Sequence, residues 1–187
     1  MRFFVLMFLT IVLSGNLAVA FDRFTAHGGP IKGLTYAPEL DLLVSTSFDY
    51  TAVVWDIEQM VELKQLIGHD AAVNTAAFSP DGRWLATAGD DNQILIWSVA
   101  ELKTKKVNPT PITFRGHTAK IVHLQFDAES RRLASSSWDR SVGLWDIPTK
   151  SNIAFLTGHQ GPVNAAQFMT DSNLLYSAGA DGHVRLW

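Results

Sequence analysis

The sequence predicts an all-β fold made of four copies of one four-stranded antiparallel sheet. Three observations lead to this prediction. A His and a Trp recur four times at one constant separation, as in the pairs His27–Trp55 and His69–Trp97. Short apolar runs alternate with turn signals such as "SPDG" and "GADG". Within every repeat the apolar residues keep the same register. Short apolar runs bounded by turns are typical of antiparallel strands rather than of helices.

Four residues define the repeat: a His, a Ser or Thr, an Asp and a Trp at fixed spacing. The hydroxyl residue lies 18 positions after the His, the Asp four positions later and the Trp six positions after the Asp. Four occurrences at identical spacing indicate four copies of one structural unit. The sets are His27, Ser45, Asp49 and Trp55; His69, Thr87, Asp91 and Trp97; His117, Ser135, Asp139 and Trp145; and His159, Ser177, Asp181 and Trp187.

The apolar residues between these markers place the strands. Nine residues after each His stands an aromatic residue, and sixteen after it stands a Leu. We expect inner strands near residues 31–36, 73–78, 121–126 and 163–168. A middle strand and a third strand that ends at the Trp should follow. The fourth strand is expected in "VELKQLI", "PITFRG" and "NIAFLTG".

This pattern resembles the WD40 repeat, the four-stranded blade of a β-propeller, whose marks are a Gly-His start and a Trp-Asp end. The resemblance covers residues 21–187, with units of about 27–67, 69–115, 117–157 and 159–187. It implies that hydrogen bonds join the four marker residues of each blade, from the Trp indole through the hydroxyl and the His ring to the Asp. It also implies that the "FDRFT" segment aligns with the fourth strand of a preceding blade.

The number of repeats bears on the whole molecule, since most propellers of this kind have seven blades and some have six or eight. Four units are therefore expected to form an open arc or part of a larger propeller, and a closed four-bladed ring is the alternative. Open blade edges also allow self-association. Either the natural chain continues past Trp187, or two copies assemble into an eight-bladed ring.

The His, Asp and Ser residues invite comparison with a hydrolase triad. However, the set recurs in every repeat, whereas an active site is normally unique. His123 and His183 are isolated, and the sequence has no Gly-rich phosphate loop and no nucleophile elbow. We therefore expect a protein that is not an enzyme and that has no cofactor and no metal site.

Composition narrows the function classes further. The chain has no cysteine, which excludes a covalent c-type haem and a Cys-ligated zinc within it. Its 15 basic and 18 acidic residues give a net charge of −3, without a Lys/Arg run. That balance does not suggest a nucleic-acid partner.

Partner-binding positions follow from the resemblance, which implies contacts just before the marker Asp and along the start of the inner strand. Phe48 and Trp138 are large aromatics at positions where small residues would suffice. Trp138 cannot be the marker Trp, because Trp145 fills that position. The alternative is that each ring packs against a neighbouring blade. The predicted contact residues are Phe48, Asp90, Trp138, Lys32, Asn74, Lys120 and Asn164.

The N-terminal segment, residues 1–20, differs in kind from the rest of the chain. A positive start, the apolar run "FFVLMFLTIVL" and the triplet Ala18-Val19-Ala20 follow the pattern of a secretory signal peptide cleaved after Ala20. An uncleaved membrane anchor is the alternative. Because the chain lacks cysteine, export to a bacterial periplasm is expected first and an extracellular location second.

Together these observations predict an exported, non-enzymatic scaffold that binds a protein or peptide through its WD40 repeats. The alternative is the binding portion of a longer periplasmic redox protein with c-type haem, or of a hydrolytic protein, whose catalytic module lies beyond residue 187. One linker, "VAELKTKKVNPTP", is six residues longer than its counterparts, and we expect it to be a solvated hairpin extension.

Overall fold

A computed structural model of the chain describes residues 25–104, 109–170 and 173–187. These residues form four antiparallel sheets, numbered 1 to 4 in chain order. Sheet 1 contains β1 (Ile31–Ala37), β2 (Leu42–Ser47), β3 (Ala52–Asp56) and β4 (Val61–Leu66). Sheet 2 contains β5 (Val73–Phe78), β6 (Trp84–Gly89), β7 (Ile94–Ser98) and β8 (Ile112–Phe114). Sheet 3 contains β9 (Ile121–Phe126), β10 (Arg132–Ser137), β11 (Ser141–Asp146) and β12 (Ser151–Thr157). Sheet 4 contains β13 (Val163–Phe168), β14 (Leu175–Gly179) and β15 (Val184–Leu186).

Each sheet is a meander in which every strand pairs with the next strand along the chain. The four inner strands are β1, β5, β9 and β13. Three of them have the predicted bounds, and β1 extends one residue further than predicted. The prediction of repeated antiparallel blades is confirmed, with four strands in each of sheets 1 to 3 and three strands in sheet 4 within the described residues.

The turn after each marker Asp has one feature in common. The residue that follows the Asp has a positive φ in all four sheets. Such a conformation is costly for residues other than glycine unless the surrounding structure holds it. The four residues are Tyr50 (φ 71°), Asn92 (64°), Arg140 (74°) and Gly182 (77°).

The hydrophobic core lies between neighbouring sheets. Between sheets 1 and 2, Val44 and Val54 lie in one buried cluster with Leu85 and Trp97. Ile94 and Ile96 of sheet 2 form the next cluster with Leu133 and Trp145 of sheet 3. Ala134 and Val142 form the third with Val163, Ala166 and Leu175 of sheet 4. Each inner sheet therefore buries both of its faces, one against each neighbour.

The row of sheets forms an open arc. The outer faces of sheets 1 and 4 remain accessible to solvent, with Leu34 67% and Val184 72% exposed. In a closed ring these two faces would cover each other. Within the described ranges, no helix has both the length and the apolar character that a membrane span requires.

The long linker between β7 and β8 of sheet 2 differs from the solvated hairpin that the sequence suggested. Its first residues form a short helix, α1 (Val99–Leu102), and both Val99 and Leu102 are buried in the cluster between sheets 1 and 2. The Lys103 ammonium donates a hydrogen bond to the backbone carbonyl of Leu40 at 3.3 Å, which also ties the linker to sheet 1. The spacing of Val99 and Leu102 puts both side chains on one helical face, which explains the packing.

Two sequence predictions concern residues outside the described ranges. The signal peptide of residues 1–20 is one. The alignment of "FDRFT" with the fourth strand of a preceding blade is the other, since only Thr25 of that segment is described.

Candidate functional site

The marker residues of sheet 3 form one continuous hydrogen-bonded network. The Trp145 indole N–H donates to the Ser135 hydroxyl at 2.8 Å. Ser135 Oγ lies 2.7 Å from His117 Nε2, and His117 Nδ1 lies 2.7 Å from a carboxylate oxygen of Asp139. Because an ionised carboxylate only accepts hydrogen bonds, Nδ1 carries the ring proton, and Nε2 accepts from the hydroxyl.

The same network recurs in the other three sheets. The indole-to-hydroxyl distances are 2.9 Å for Trp55–Ser45, 3.0 Å for Trp97–Thr87 and 2.8 Å for Trp187–Ser177. The corresponding His Nε2 atoms all lie 2.8 Å from the hydroxyls. The imidazole-to-carboxylate distances are 2.9 Å for His27–Asp49, 2.7 Å for His69–Asp91 and 2.9 Å for His159–Asp181. All sixteen predicted network residues are therefore brought together in sets of four.

Each marker Asp also accepts hydrogen bonds from nearby backbone N–H groups, which the side-chain pattern did not predict. The carboxylate accepts from the N–H of the residue after the marker His and from the N–H two residues after the Asp itself. In sheet 1, Asp49 accepts from the Gly28 N–H at 2.8 Å and from the Thr51 N–H at 3.0 Å. The second bond closes the turn and holds the left-handed residue between the two partners.

These contacts lower the pKa of the marker carboxyls. Burial raises the pKa of Asp49, but hydrogen bonds from Thr51, His27 and the Gly28 backbone outweigh it and lower the pKa to about 2. For Asp91 and Asp139, burial likewise raises the pKa, but hydrogen bonds led by that from the His ring outweigh it and leave the pKa below its usual value. For Asp181 the Gln160 backbone N–H contributes most to lowering the pKa. The networks therefore hold carboxylates in the ionised form.

The geometry of the networks indicates a structural role rather than a catalytic one. The four hydroxyl groups belong to residues at most 2% exposed, and each already contacts the indole N–H and the His ring. A nucleophile needs an open approach for its substrate, which these hydroxyls do not have. No group of three or more His, Cys, Asp or Glu residues within ranges 25–104, 109–170 and 173–187 is arranged to hold a metal ion.

Three of the predicted contact residues, Phe48, Asp90 and Trp138, lie on the turns that present the marker Asp. The other four lie in the inner strands or directly before one: Lys32, Asn74, Lys120 and Asn164. Phe48 is 46% exposed and Trp138 is 47% exposed. Their backbone N–H groups donate to the carbonyls of Pro30 and Lys120, at 3.0 Å in both cases. The equivalent Asp90 and Ala180 make the same backbone contact in sheets 2 and 4, to Ala72 and Pro162 at 2.8 and 2.7 Å. One anchored position per sheet therefore presents a variable side chain.

Both exposed rings are paired with a lysine of their own sheet. The Lys120 ammonium lies 3.5 Å from the centroid of a Trp138 ring, and the Lys32 ammonium lies 4.7 Å from the Phe48 centroid. These are cation–π distances. Neither ring belongs to the three buried clusters between sheets.

Sheet 2 presents a polar pair at the corresponding place. The Asn74 side-chain amide donates to the Asp90 carboxylate at 2.7 Å and to the Ile121 carbonyl of sheet 3 at 3.0 Å. In sheet 4, the exposed Asn164 accompanies Ala180, which offers no large side chain. We call the seven predicted contact residues the aromatic–lysine surface: Lys32, Phe48, Asn74, Asp90, Lys120, Trp138 and Asn164.

Comparison with known proteins decides the family. The family model described as "WD domain, G-beta repeat" matches residues 19–56, 60–98, 109–146 and 150–187, which together make up most of the chain. The chain belongs to the WD40 repeat family. The four matched ranges end at or one residue after the four marker tryptophans, so each WD40 repeat contains one hydrogen-bonded network.

Several curated proteins are similar to this WD40 chain. It is 27% identical to the transcription initiation factor TFIID subunit 5 of Caenorhabditis elegans, over 88% of the chain and 24% of that protein. It is 31% identical to the telomerase protein component 1 of Rattus norvegicus, over 84% of the chain and 6% of that protein. It is 30% identical to the guanine nucleotide-binding protein subunit beta of Oryza sativa subsp. japonica, over 86% of the chain and 44% of that protein. The chain thus spans less than half the length of each of these relatives.

Proposed function

We propose that this WD40 chain is a non-enzymatic scaffold that binds a protein or peptide partner on the aromatic–lysine surface. One observation carries the proposal. Two large aromatic rings, Phe48 and Trp138, are half exposed at positions that the hydrogen-bonded networks do not use. Exposed aromatic rings gain most when a partner covers them, and they are enriched at the centres of protein interfaces.

The chemistry of the surface suits a polypeptide ligand. The rings offer apolar area, Lys32 and Lys120 offer donors for carbonyl or carboxylate oxygens, and Asn74 with Asp90 offers both donors and acceptors. The backbone hydrogen bonds of Phe48 and Trp138 hold the turns that carry the rings before a partner arrives. Fixed anchors lose little entropy on binding.

The names of the relatives support the same class of function. They describe a transcription factor subunit, a telomerase component and a subunit of a guanine nucleotide-binding protein. Each name denotes a part of a larger assembly. We propose the corresponding role, as a part that contacts other proteins, for this chain.

The test uses a phage-displayed random peptide library as the probe. Peptides selected on the wild-type chain are measured against Trp138→Ala, Phe48→Ala and a control, Ile153→Ala, which removes an equally exposed apolar side chain from β12. Loss of a central aromatic contact of about 2 kcal/mol corresponds to roughly 30-fold weaker binding. We expect that loss for Trp138→Ala or Phe48→Ala and unchanged binding for Ile153→Ala. Unchanged binding by both aromatic variants would contradict the proposal.

We propose in addition that the scaffold acts outside the cytoplasm, in a bacterial periplasm. The support is the arrangement of residues 1–20, with a basic start, an apolar run and a small-residue cleavage triplet. Expression of the full chain in a bacterium, followed by N-terminal sequencing of the periplasmic fraction, tests it. A new terminus at Phe21 is expected. Full-length protein confined to the cytoplasmic fraction would contradict export.

A further inference from the structure

Four positions in each sheet surround the network at the end that carries the marker Asp. They are the first and third residues after the marker His and the residues on either side of the marker Asp. In sheet order, the first position holds Gly28, Asp70, Thr118 and Gln160, and the second holds Pro30, Ala72, Lys120 and Pro162. The third holds Phe48, Asp90, Trp138 and Ala180, and the fourth holds Tyr50, Asn92, Arg140 and Gly182.

Charge is unevenly distributed over these positions. Both acidic residues, Asp70 and Asp90, belong to sheet 2, and we call them the acidic patch. Both basic residues, Lys120 and Arg140, belong to sheet 3, and we call them the basic patch. The equivalent residues of sheets 1 and 4 are uncharged, although the same network forms there. The fold therefore does not require these charges, which leaves them for contact with a partner.

The charges of both patches are uncompensated within the described part of the chain. The ion pairs there involve other side chains. The Lys120 ammonium lies 3.5 Å from the centroid of a Trp138 ring, and a ring carries no net charge. Arg140 is exposed in the same turn as Trp138, where its backbone N–H donates to the Ser137 carbonyl at 3.2 Å.

The two patches adjoin each other at the boundary between sheets 2 and 3. The Asn74 amide donates to the Asp90 carboxylate at 2.7 Å and to the Ile121 carbonyl at 3.0 Å. Because Ile121 directly follows Lys120, Asn74 ties the acidic turn of sheet 2 to the start of the inner strand of sheet 3. The amide is neutral, so it positions the Asp90 carboxylate without cancelling its charge. Sheets 2 and 3 each pack on a neighbour on both sides.

We propose, on the basis of the proposed function, that the partner segment carries opposite charges on the two sides of an apolar residue. The apolar side chain covers Trp138, an acidic residue contacts the basic patch, and a basic residue contacts the acidic patch. A segment bound the other way round would place like charges together, which is unfavourable. The two patches therefore fix the direction in which the segment lies across sheets 2 and 3.

Two features of the surface support this choice of partner. Sheet 1 carries one exposed cation near its aromatic ring, Lys32, whereas sheet 3 carries two, so the acidic residue belongs on sheet 3. A polyanion such as a nucleic acid would bring its phosphates against Asp70 and Asp90. A polypeptide with both signs of charge avoids that repulsion.

The first test is the sequence of the peptides that the wild-type chain selects from a phage-displayed random library. We expect an apolar residue with Asp or Glu on one side and Lys or Arg on the other, always in the same order along the peptide. Peptides with a single sign of charge, or with both signs in no fixed order, overturn the proposal.

The second test reverses single charges and measures the affinity of a selected peptide. An exposed ion pair strengthens binding by up to about fivefold, and its reversal adds a repulsion of similar size, so Lys120→Glu should bind roughly tenfold more weakly. The control Lys150→Glu makes the same change on the exposed turn between β11 and β12, at the opposite end of sheet 3, and should bind as the wild type does.

A compensating change in the peptide shows that the variant is folded and that charge is the cause. Replacing the acidic residues of the peptide by Lys should restore its binding to Lys120→Glu. Asp70→Lys tests the other end, with binding restored when the basic residues of the peptide become Glu. Equal losses for Lys120→Glu and Lys150→Glu, no restoration, or a larger loss for Lys32→Glu than for Lys120→Glu overturns the proposal.

The same peptides separate this proposal from the proposed function. Binding that falls for Trp138→Ala but is unchanged for Lys120→Glu and Asp70→Lys keeps the scaffold function and overturns the fixed direction. Binding that is unchanged for both Trp138→Ala and Phe48→Ala overturns the proposed function and, with it, the direction that rests on it.

Discussion

Two adjacent serines on β10 show what the network contributes at the scale of a single residue. Ser135 and Ser136 are both fully buried. The Ser135 hydroxyl contacts the Trp145 indole and the His117 ring, whereas the Ser136 hydroxyl has no hydrogen-bond partner within the described part of the chain. Strand periodicity points them to opposite faces of sheet 3. The same side chain is therefore stabilising at one position and a desolvation cost at the next.

This contrast gives a matched prediction. Ser135→Ala removes a group to which two buried partners are bonded, so we expect the free energy of unfolding to fall by about 1–3 kcal/mol. Ser136→Ala removes only an unpaired hydroxyl, so stability should stay the same or rise. Urea denaturation monitored by Trp fluorescence measures both. Equal losses for the two variants would show that the network adds nothing beyond packing.

The lowered pKa values of the marker carboxyls predict how the stability of the fold depends on pH. Their pKa values are lowered in the folded state, to about 2 for Asp49, from an ordinary value of 3.8. Groups of this kind stabilise the fold above the unfolded pKa and lose that contribution as the pH falls through the folded pKa. We therefore expect the midpoint of urea denaturation to fall steeply as the pH is lowered from about 4 to 2.

A control variant assigns this loss to the network. Asp49→Asn removes one titrating group, so the variant should be less stable at neutral pH and should show a shallower decrease across the acid range. Parallel curves for wild type and Asp49→Asn would contradict the assignment of the lowered pKa to this carboxyl.

The sequence predicted the side-chain part of this site and missed the backbone part. The sixteen network residues were predicted because polar side chains at fixed spacing are visible in the sequence. The bonds from the Gly28 and Thr51 N–H groups to Asp49 could not be read in the same way, since any residue supplies a backbone N–H. The positive φ after each Asp was not predicted either, because Tyr50 and Arg140 are not typical of that conformation.

At the scale of elements, the strands were predictable and the short helix was not. Alternating apolar residues between turn signals determine strands locally. In contrast, α1 has four residues, too few to be stable alone, and it forms where Val99 and Leu102 can enter the cluster between sheets 1 and 2. Its existence depends on tertiary packing, which the sequence does not show directly.

The helix yields a prediction about the linker. Leu102 is 1% exposed, so Leu102→Ala should lower the free energy of unfolding by about 2–5 kcal/mol, as for other large-to-small substitutions in a core. The neighbouring Glu101→Ala keeps helix propensity and removes only a partly exposed side chain, so its effect should be within about 0.5 kcal/mol. Thermal denaturation compares them. A negligible effect of Leu102→Ala would mean that the linker is solvated after all.

At the scale of the whole molecule, the free energy of unfolding is approximately a sum of contributions from the individual sheets and from the interfaces between neighbouring sheets. Within the described residues, each sheet packs on the sheets beside it through a buried cluster, and each repeat contains one network of its own. The repeat count predicted an open arc. What lies against the outer faces of sheets 1 and 4 could not be predicted from the repeat alone, because identical sheets pack equally well within a chain and between chains.

The central claim is that the networks stabilise each sheet from within, while the exposed aromatics Phe48 and Trp138 are available for contact with a partner. Thermal unfolding of Trp138→Ala and Trp145→Ala, compared with the wild type, tests it most directly. Trp145 is buried between sheets 2 and 3 and bonded to Ser135, so its truncation should cost about 3–5 kcal/mol. That cost corresponds to a melting temperature roughly 6–20 °C lower. Trp138→Ala should melt within about 2 °C of the wild type, as expected for a surface position. If Trp138→Ala melts as low as Trp145→Ala, Trp138 belongs to the core and the assignment of a separate contact surface is contradicted.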